Sequence, residues 1–375
     1  MSTYFSSIKD EIHTLGKLIA GCIYAKTVLF VENCYSDMTP LQDEELSEIS
    51  GQAFVTLDQE TVLGKEMTRV NIGMELKTQL NVEELKLGEY PRWENGEACF
   101  ECDGTEPGLE KQGADLWVKN MSFGAIAETS GRKMDGRYYR AGEIIPFEFY
   151  DPYIEIAKED DELVGMRIGF HQARGIFSGD ILSFTGQLPV QIKDNAYALI
   201  DAPNRPWWFA LAGALLPFTP VEGQAHPITA PNVVDGEVDY ESGGQPDPVR
   251  ATHIGLPSGS NFTLGPIPFI GDIDFATTDC NLHGVPTCFP MTQFKSMEVG
   301  EKQKNGTFLP TGGFFLSMQK KAMEWIEPVS QQRVSTPSGV FFSVPVGSVE
   351  FNLEQSFHGT PRRRVEYIDR GVGLF

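Results

Sequence analysis

From Val70 the even-numbered positions Val70, Ile72, Met74, Leu76, Thr78, Leu80 and Val82 alternate with mostly polar or small residues. A period of two puts these side chains on one face of an extended chain, so the run predicts one long strand with one face buried. The phase then shifts. Leu85 and Leu87 are odd, as one extra residue near Glu83–Glu84 requires, and Gly88 closes the segment. The same syntax returns further on: Val82-x-x-Leu85-x-Leu87-Gly88 aligns with Val118-x-x-Met121-x-Phe123-Gly124 at a spacing of 36 residues. Two copies leave two readings open. One is a stacked repeat, in which long strands with matching corners share an elongated core; the other is a pair of unrelated bulged hairpins in a sandwich.

Composition supports the same class. Thirty-eight Gly and 24 Pro in 375 residues, with few long helical patterns, imply many short strands and turns. The expected fold is mostly β: an elongated antiparallel, solenoid-like or folded-sheet architecture behind a short N-terminal helical leader. Hydrophobic residues at 41% supply a sizeable core. Thirty Lys and Arg face 52 Asp and Glu, a net charge of −22, which repels polyphosphates and excludes nucleic acid as an expected partner.

Residues 1–36 read as a leader. The apolar run Leu18–Val31 ends at Cys34-Tyr35-Ser36, which places small residues at −3 and −1 of a cut after Ser36. Lys26 interrupts that run, and Asp10 and Glu11 offset Lys9 and Lys17. The alternative is a retained amphipathic helix with Ile8, Ile12, Leu15, Leu18 and Ile19 on one side. Ile19-Ala-Gly-Cys22 has the outline of a lipoprotein box without an apolar run in front of it. No stretch reaches the ~20 apolar residues of a membrane span. Next comes a junction. Asp43 caps a short helix with Glu44, Glu45 and Glu48 near its start, Gly51 stops it, and alternation at Ala53, Val55 and Leu57 begins a strand.

That junction, Asp37-Met38, Leu41, Asp43-Glu44-x-Leu46-Ser47, Gly51-Gln52-Ala53 and Leu57-Asp58, resembles the start of the mature chain in Fil-type pilus or filament proteins of Gram-negative bacteria. Further landmarks are similar: Val70 to Glu75, Leu80-Asn81-Val82, Asp151 to Glu155, Val164 to Gly169, Gly179-Asp180-Ile181 with Thr185-Gly186, and Glu366 to Arg370. They span most of the chain. The resemblance implies an exported, non-enzymatic, β-rich structural protein at the extracellular or outer-membrane surface, a subunit, cap or assembly component partnered by filament subunits or itself. It carries over no catalytic residue and no cofactor. A surface module for glycan or lipid, with lipid held in a β groove, and a virion structural protein are the alternatives.

Cys99, Cys102, Cys280 and Cys288 follow the leader, and their short spacings favour 99 with 102 and 280 with 288 among the three pairings open to four thiols. Disulfides suit an oxidising compartment. The competing use is a zinc set of Cys99, Cys102, Cys280, His283 and Cys288. Trp207 and Trp208 beside Arg205 form a candidate aromatic shelf for sugar or cation. Glu159-Asp160-Asp161-Glu162 and Asp235 to Asp239 read as solvated turns, without the glycine-punctuated spacing of a calcium loop. The chain has no His-Glu-x-x-His, nucleophile elbow or Walker loop.

The remaining expectations concern layout. Ile144–Phe149 and Tyr153–Ile156 are two strands about a Tyr150-Asp151-Pro152 corner, Gly175–Ile192 is a set of short rungs, and Trp208–Leu216 is a buried segment. Residues 220–257, rich in Pro, Gly and acid, form a loop or insertion dividing β regions at 37–219 and 258–375. The terminal Phe375 on an alternating strand is similar to a barrel-closing signal, but too few alternating segments occur for a membrane barrel, so a docked last strand is expected.

Overall fold

The computed structural model describes residues 55–93, 95–102, 104–109, 113–228, 232–234, 237–239, 249–277 and 280–365. The expected leader over 1–36, the short helix before Gly51, and the strand expected at the C-terminus past Val365 lie outside these residues.

The described residues are mostly β and belong to one compact unit. Strands β1 (Val55–Val62), β2 (Lys65–Ile72), β3 (Glu75–Thr78), β4 (Leu80–Leu87) and β5 (Leu116–Phe123) precede two long strands, β6 (Phe147–Glu159) and β7 (Glu162–Phe184). Then follow β8 (Gly186–Gln187), β9 (Val190–Asn195), helix α1 (Trp207–Leu215), β10 (Pro220–Ile228), β11 (Asn261–Ile267) and β12 (Gly271–Ala276). The last are β13 (Ser296–Val299), β14 (Phe314–Gln319), β15 (Met323–Ile326), β16 (Arg333–Thr336), β17 (Gly339–Ser343), β18 (Val349–Phe351) and α2 (Leu353–His358).

Strand β7 joins two sheets. Its first half pairs with β6 and β14, and its second half with β5 and β13. Sheet I therefore runs β1-β2-β6-β7-β14-β17-β8, with β3 extending the β2 side of β6. Sheet II runs β4-β5-β7-β13-β18-β9-β10-β11-β12. Neither closes into a barrel among the described residues. The crossing lies near Gly175, where a Cβ would sit 2.5 Å from the Phe147 ring. At Gly179 a Cβ would meet Val118 at the same distance. These glycines, expected to end short rungs, instead admit close neighbours within a 23-residue strand.

Other expectations change for similarly local reasons. The strand expected over 70–82 is divided among β2, β3 and β4. The 36-residue echo is a pairing: Val82 lies opposite Met121 and Leu85 opposite Val118 in the antiparallel β4–β5 ladder. Two neighbouring strands switch face at the same level because their corners coincide. The corner at Asp151 is a kink with φ 49° inside the single strand β6. Residues 220–257 open with nine residues of strand, whose Val221, Ala225 and Ile228 are buried, and strands from both expected β regions share the two sheets. Segment Trp208–Leu216 buries Phe209 and Gly213 but exposes Leu211 and Leu215, since a helix apolar all round gives no sequence sign of which face is covered.

Candidate functional site: an apolar cleft between the sheets

Alternation decides which side chains enter the space between the sheets. Ile168 and Phe170 of β7, Phe314 and Leu316 of β14, and Phe342 of β17 share one face of sheet I, as the pairs Ile168↔Leu316, Phe170↔Phe314 and Leu316↔Phe342 require. Val118, Met121 and Phe123 of β5 and Ile181 and Phe184 of β7 line the same space from sheet II. Together they bound a cavity of about 370 Å³ in which every lining residue is apolar except Thr78. That size lies within the ~300–1,000 Å³ of small-molecule sites. With the Thr78 hydroxyl as its one polar lining side chain, such a space offers water too few partners and favours hydrocarbon.

Aromatic contacts stiffen the wall. Phe149 stacks on Phe170 with centroids 4.0 Å apart, and Phe314 meets Phe342 edge-on at 5.0 Å. The mouth is aliphatic. Leu76, Leu80 and Ile168 line it while 39–44% exposed, so the cavity opens to the surface past side chains that belong to its own lining.

The opposite face of sheet I is sealed. The β15–β16 hairpin lays Trp325 over the wholly buried Arg167, whose guanidinium lies 4.9 Å from that ring, 5.1 Å from Tyr153 and 5.2 Å from Phe315. Buried Glu155 accepts from Arg167 and, at 2.9 Å, from Arg69. Burial pushes the Tyr153 phenol up to about 12, so it stays protonated. Cation–π contact and a paired carboxylate fix the back of the cleft wall.

A second buried cluster fixes one end. Asp115 accepts from Arg92 Nε (2.8 Å) and Nη2 (2.7 Å), Arg250 Nε (3.0 Å), the Val340 amide (2.9 Å) and the Tyr90 hydroxyl. Burial first, then the Asp115 charge, pushes the Tyr90 phenol up, which keeps it a donor. Gly339, at φ +101°, leaves room for this contact: a Cβ would lie 2.5 Å from Arg92 Nη2 and 2.6 Å from Asp115 Oδ2.

The residues singled out by sequence lie elsewhere. Cys99 is bonded to Cys102 and Cys280 to Cys288, so the four sulfurs are disulfides and not free thiolates for zinc. His283 packs edge-on to Trp208 at 5.7 Å, and no group of three or more metal-ligating side chains occurs among the described residues. The tryptophans do not form one shelf: Trp208 stacks inward on Phe275 at 4.8 Å, while Trp207 and Arg205 face outward. Glu159–Glu162 is a tight hairpin turn with Asp160 and Asp161 at φ 51° and 63°, and Glu159 meets Lys65 and Lys321. The cleft residues escaped sequence reasoning because each looks like ordinary core. The available signal was an excess of phenylalanine, 25 against 11 Tyr and 5 Trp, at alternating positions such as Phe147 and Phe149.

No protein-family model matches the chain, and no curated protein or solved structure is significantly similar to it. No helix among the described residues is long and apolar enough to cross a membrane.

Proposed function

We propose that the chain is a non-enzymatic binding module that holds a hydrocarbon chain in the cleft between its two sheets. The carrying observation is the open cavity of about 370 Å³ with Thr78 as its one polar lining residue. No acid or base lines the space to activate the Thr78 hydroxyl, whereas each buried methylene of a ligand contributes about 0.8 kcal/mol. Two disulfides fit an exported protein at a cell surface. The test is fluorescence titration of the full chain with the neutral probe N-phenyl-1-naphthylamine, displaced by hexadecan-1-ol. Ile168→Glu puts a carboxylate at the 43%-exposed mouth and should weaken probe binding at least tenfold with the fold kept. Absence of probe binding by the unaltered chain defeats the reading.

A filament role through strand addition is the second reading, favoured by strand β1. Among the described residues it pairs with β2 alone, and its Val55 and Leu57 are 50% and 60% exposed. An unpaired edge offers backbone groups to another chain. Leu57→Lys should abolish concentration-dependent association in sedimentation velocity while leaving probe binding unchanged. Purely monomeric unaltered protein at every concentration removes this reading.

A further inference from the structure

A second hollow lies along sheet I beyond the cavity. On sheet I the rank Ile168, Leu316, Phe342 lines the cavity, and two residues along the same strands comes the rank Met166, Met318, Val340. Residues two apart share a face, so the second rank continues the first. This second rank lines a separate hollow of about 440 Å³, roofed by Phe100 from the loop tied by Cys99–Cys102. Phe100 is half exposed and meets Tyr90 edge-on at 4.8 Å, which ties it to the Asp115 cluster.

The hollow ends in charge. Lys320, the first residue after the end of β14, lines it and is exposed, and its ammonium makes no ion pair among the described residues. The other charged lining residue, Glu89, is paired with Lys86. Among the described residues, Lys320 is thus the one charged lining side chain of this hollow without an ion pair. From Phe314 to Gln319, where β14 ends beside Lys320, is five steps of strand, about 17 Å at ~3.3 Å per residue.

We propose that the ligand is a long single-chain carboxylate whose tail fills the cleft and whose head group lies over Lys320. This rests on the cleft reading above and specifies its ligand. A neutral tail satisfies the dry cavity, and only an anion complements the free ammonium. A short chain seated in the cavity cannot reach across the second rank.

The test is competition against N-phenyl-1-naphthylamine on the full chain with hexadecanoate, octanoate and hexadecan-1-ol. Hexadecanoate should bind tightest, with octanoate at least a hundredfold weaker from lost methylene burial. Lys320→Ala should weaken hexadecanoate about three- to fivefold, the size of an exposed ion pair, and Lys320→Glu more, with hexadecan-1-ol unaffected by either. Equal loss for acid and alcohol, or no loss for either, overturns the role of Lys320 while leaving the cleft reading intact. Failure of all three ligands to displace a bound probe overturns the inference, and failure of the probe itself to bind overturns both.

Discussion

Asp115 is wholly buried and accepts five hydrogen bonds, two of them from an arginine that is itself wholly buried. Its removal would take from the wholly buried Arg92 the carboxylate it is paired with, and breaking such a buried pair costs about 3–5 kcal/mol. Asp115→Ala should lower the urea midpoint accordingly, while Arg333→Ala, which loses only the exposed pair with Glu324, should change it little. Two histidines set a pH dependence. Burial holds His226 and His253 below their ordinary value. Above about pH 6.5 neither state carries the proton, and stability is full; as pH falls from there toward the folded values, the unfolded chain takes up protons first and stability declines. The urea midpoint should drop as pH falls below about 6.5, and the His226→Gln, His253→Gln double variant should flatten that slope. An unchanged slope would assign the drop to carboxylates.

Among the elements, β7 carries the architecture, because its 23 residues contribute to both walls of the cleft. The crossing near Gly175 depends on there being no Cβ, since the Phe147 ring and its backbone Cα both lie within 2.8 Å of where one would be. Gly175→Ala should cost about 1–3 kcal/mol by overpacking, measured by urea unfolding, and Gly259→Ala, with open space around it, separates that cost from the general effect of losing a positive-φ glycine. Equal costs at the two positions would remove the packing argument. The β15–β16 hairpin acts differently. It fills the outer face of sheet I with Trp325 and leaves the inner face to the cleft.

At the scale of the molecule, one face of sheet I presents a continuous apolar row: Leu57, Val70, Ile154, Ile168, Leu316 and Phe342 are successive cross-strand partners. Ile168, Leu316 and Phe342 line the cleft, with Ile168 at its mouth and 43% exposed, while Leu57 and Ile154 beyond it are 60% and 44% exposed. The row links the proposed ligand path to the open β1 edge, so both proposed activities use one surface. Long apolar runs of this kind mark binding faces more often than surplus core.

What the sequence determined alone was local. Period-two alternation specified strands and their faces, acid-rich and glycine turns placed hairpins such as Glu159–Glu162, and close spacing indicated both disulfides. Each of these depends on neighbours a few residues apart. Tertiary structure decided the partners: that 80–87 lies against 116–123, that one strand serves two sheets, and that phenylalanines from β5, β6, β7, β14 and β17 line or wall a common space. Alternation says which side of a strand is apolar but not what it faces. Closing a longer loop costs only slightly more than closing a short one, so sequence distance barely ranks the possible pairings, and the choice falls to packing of the whole chain.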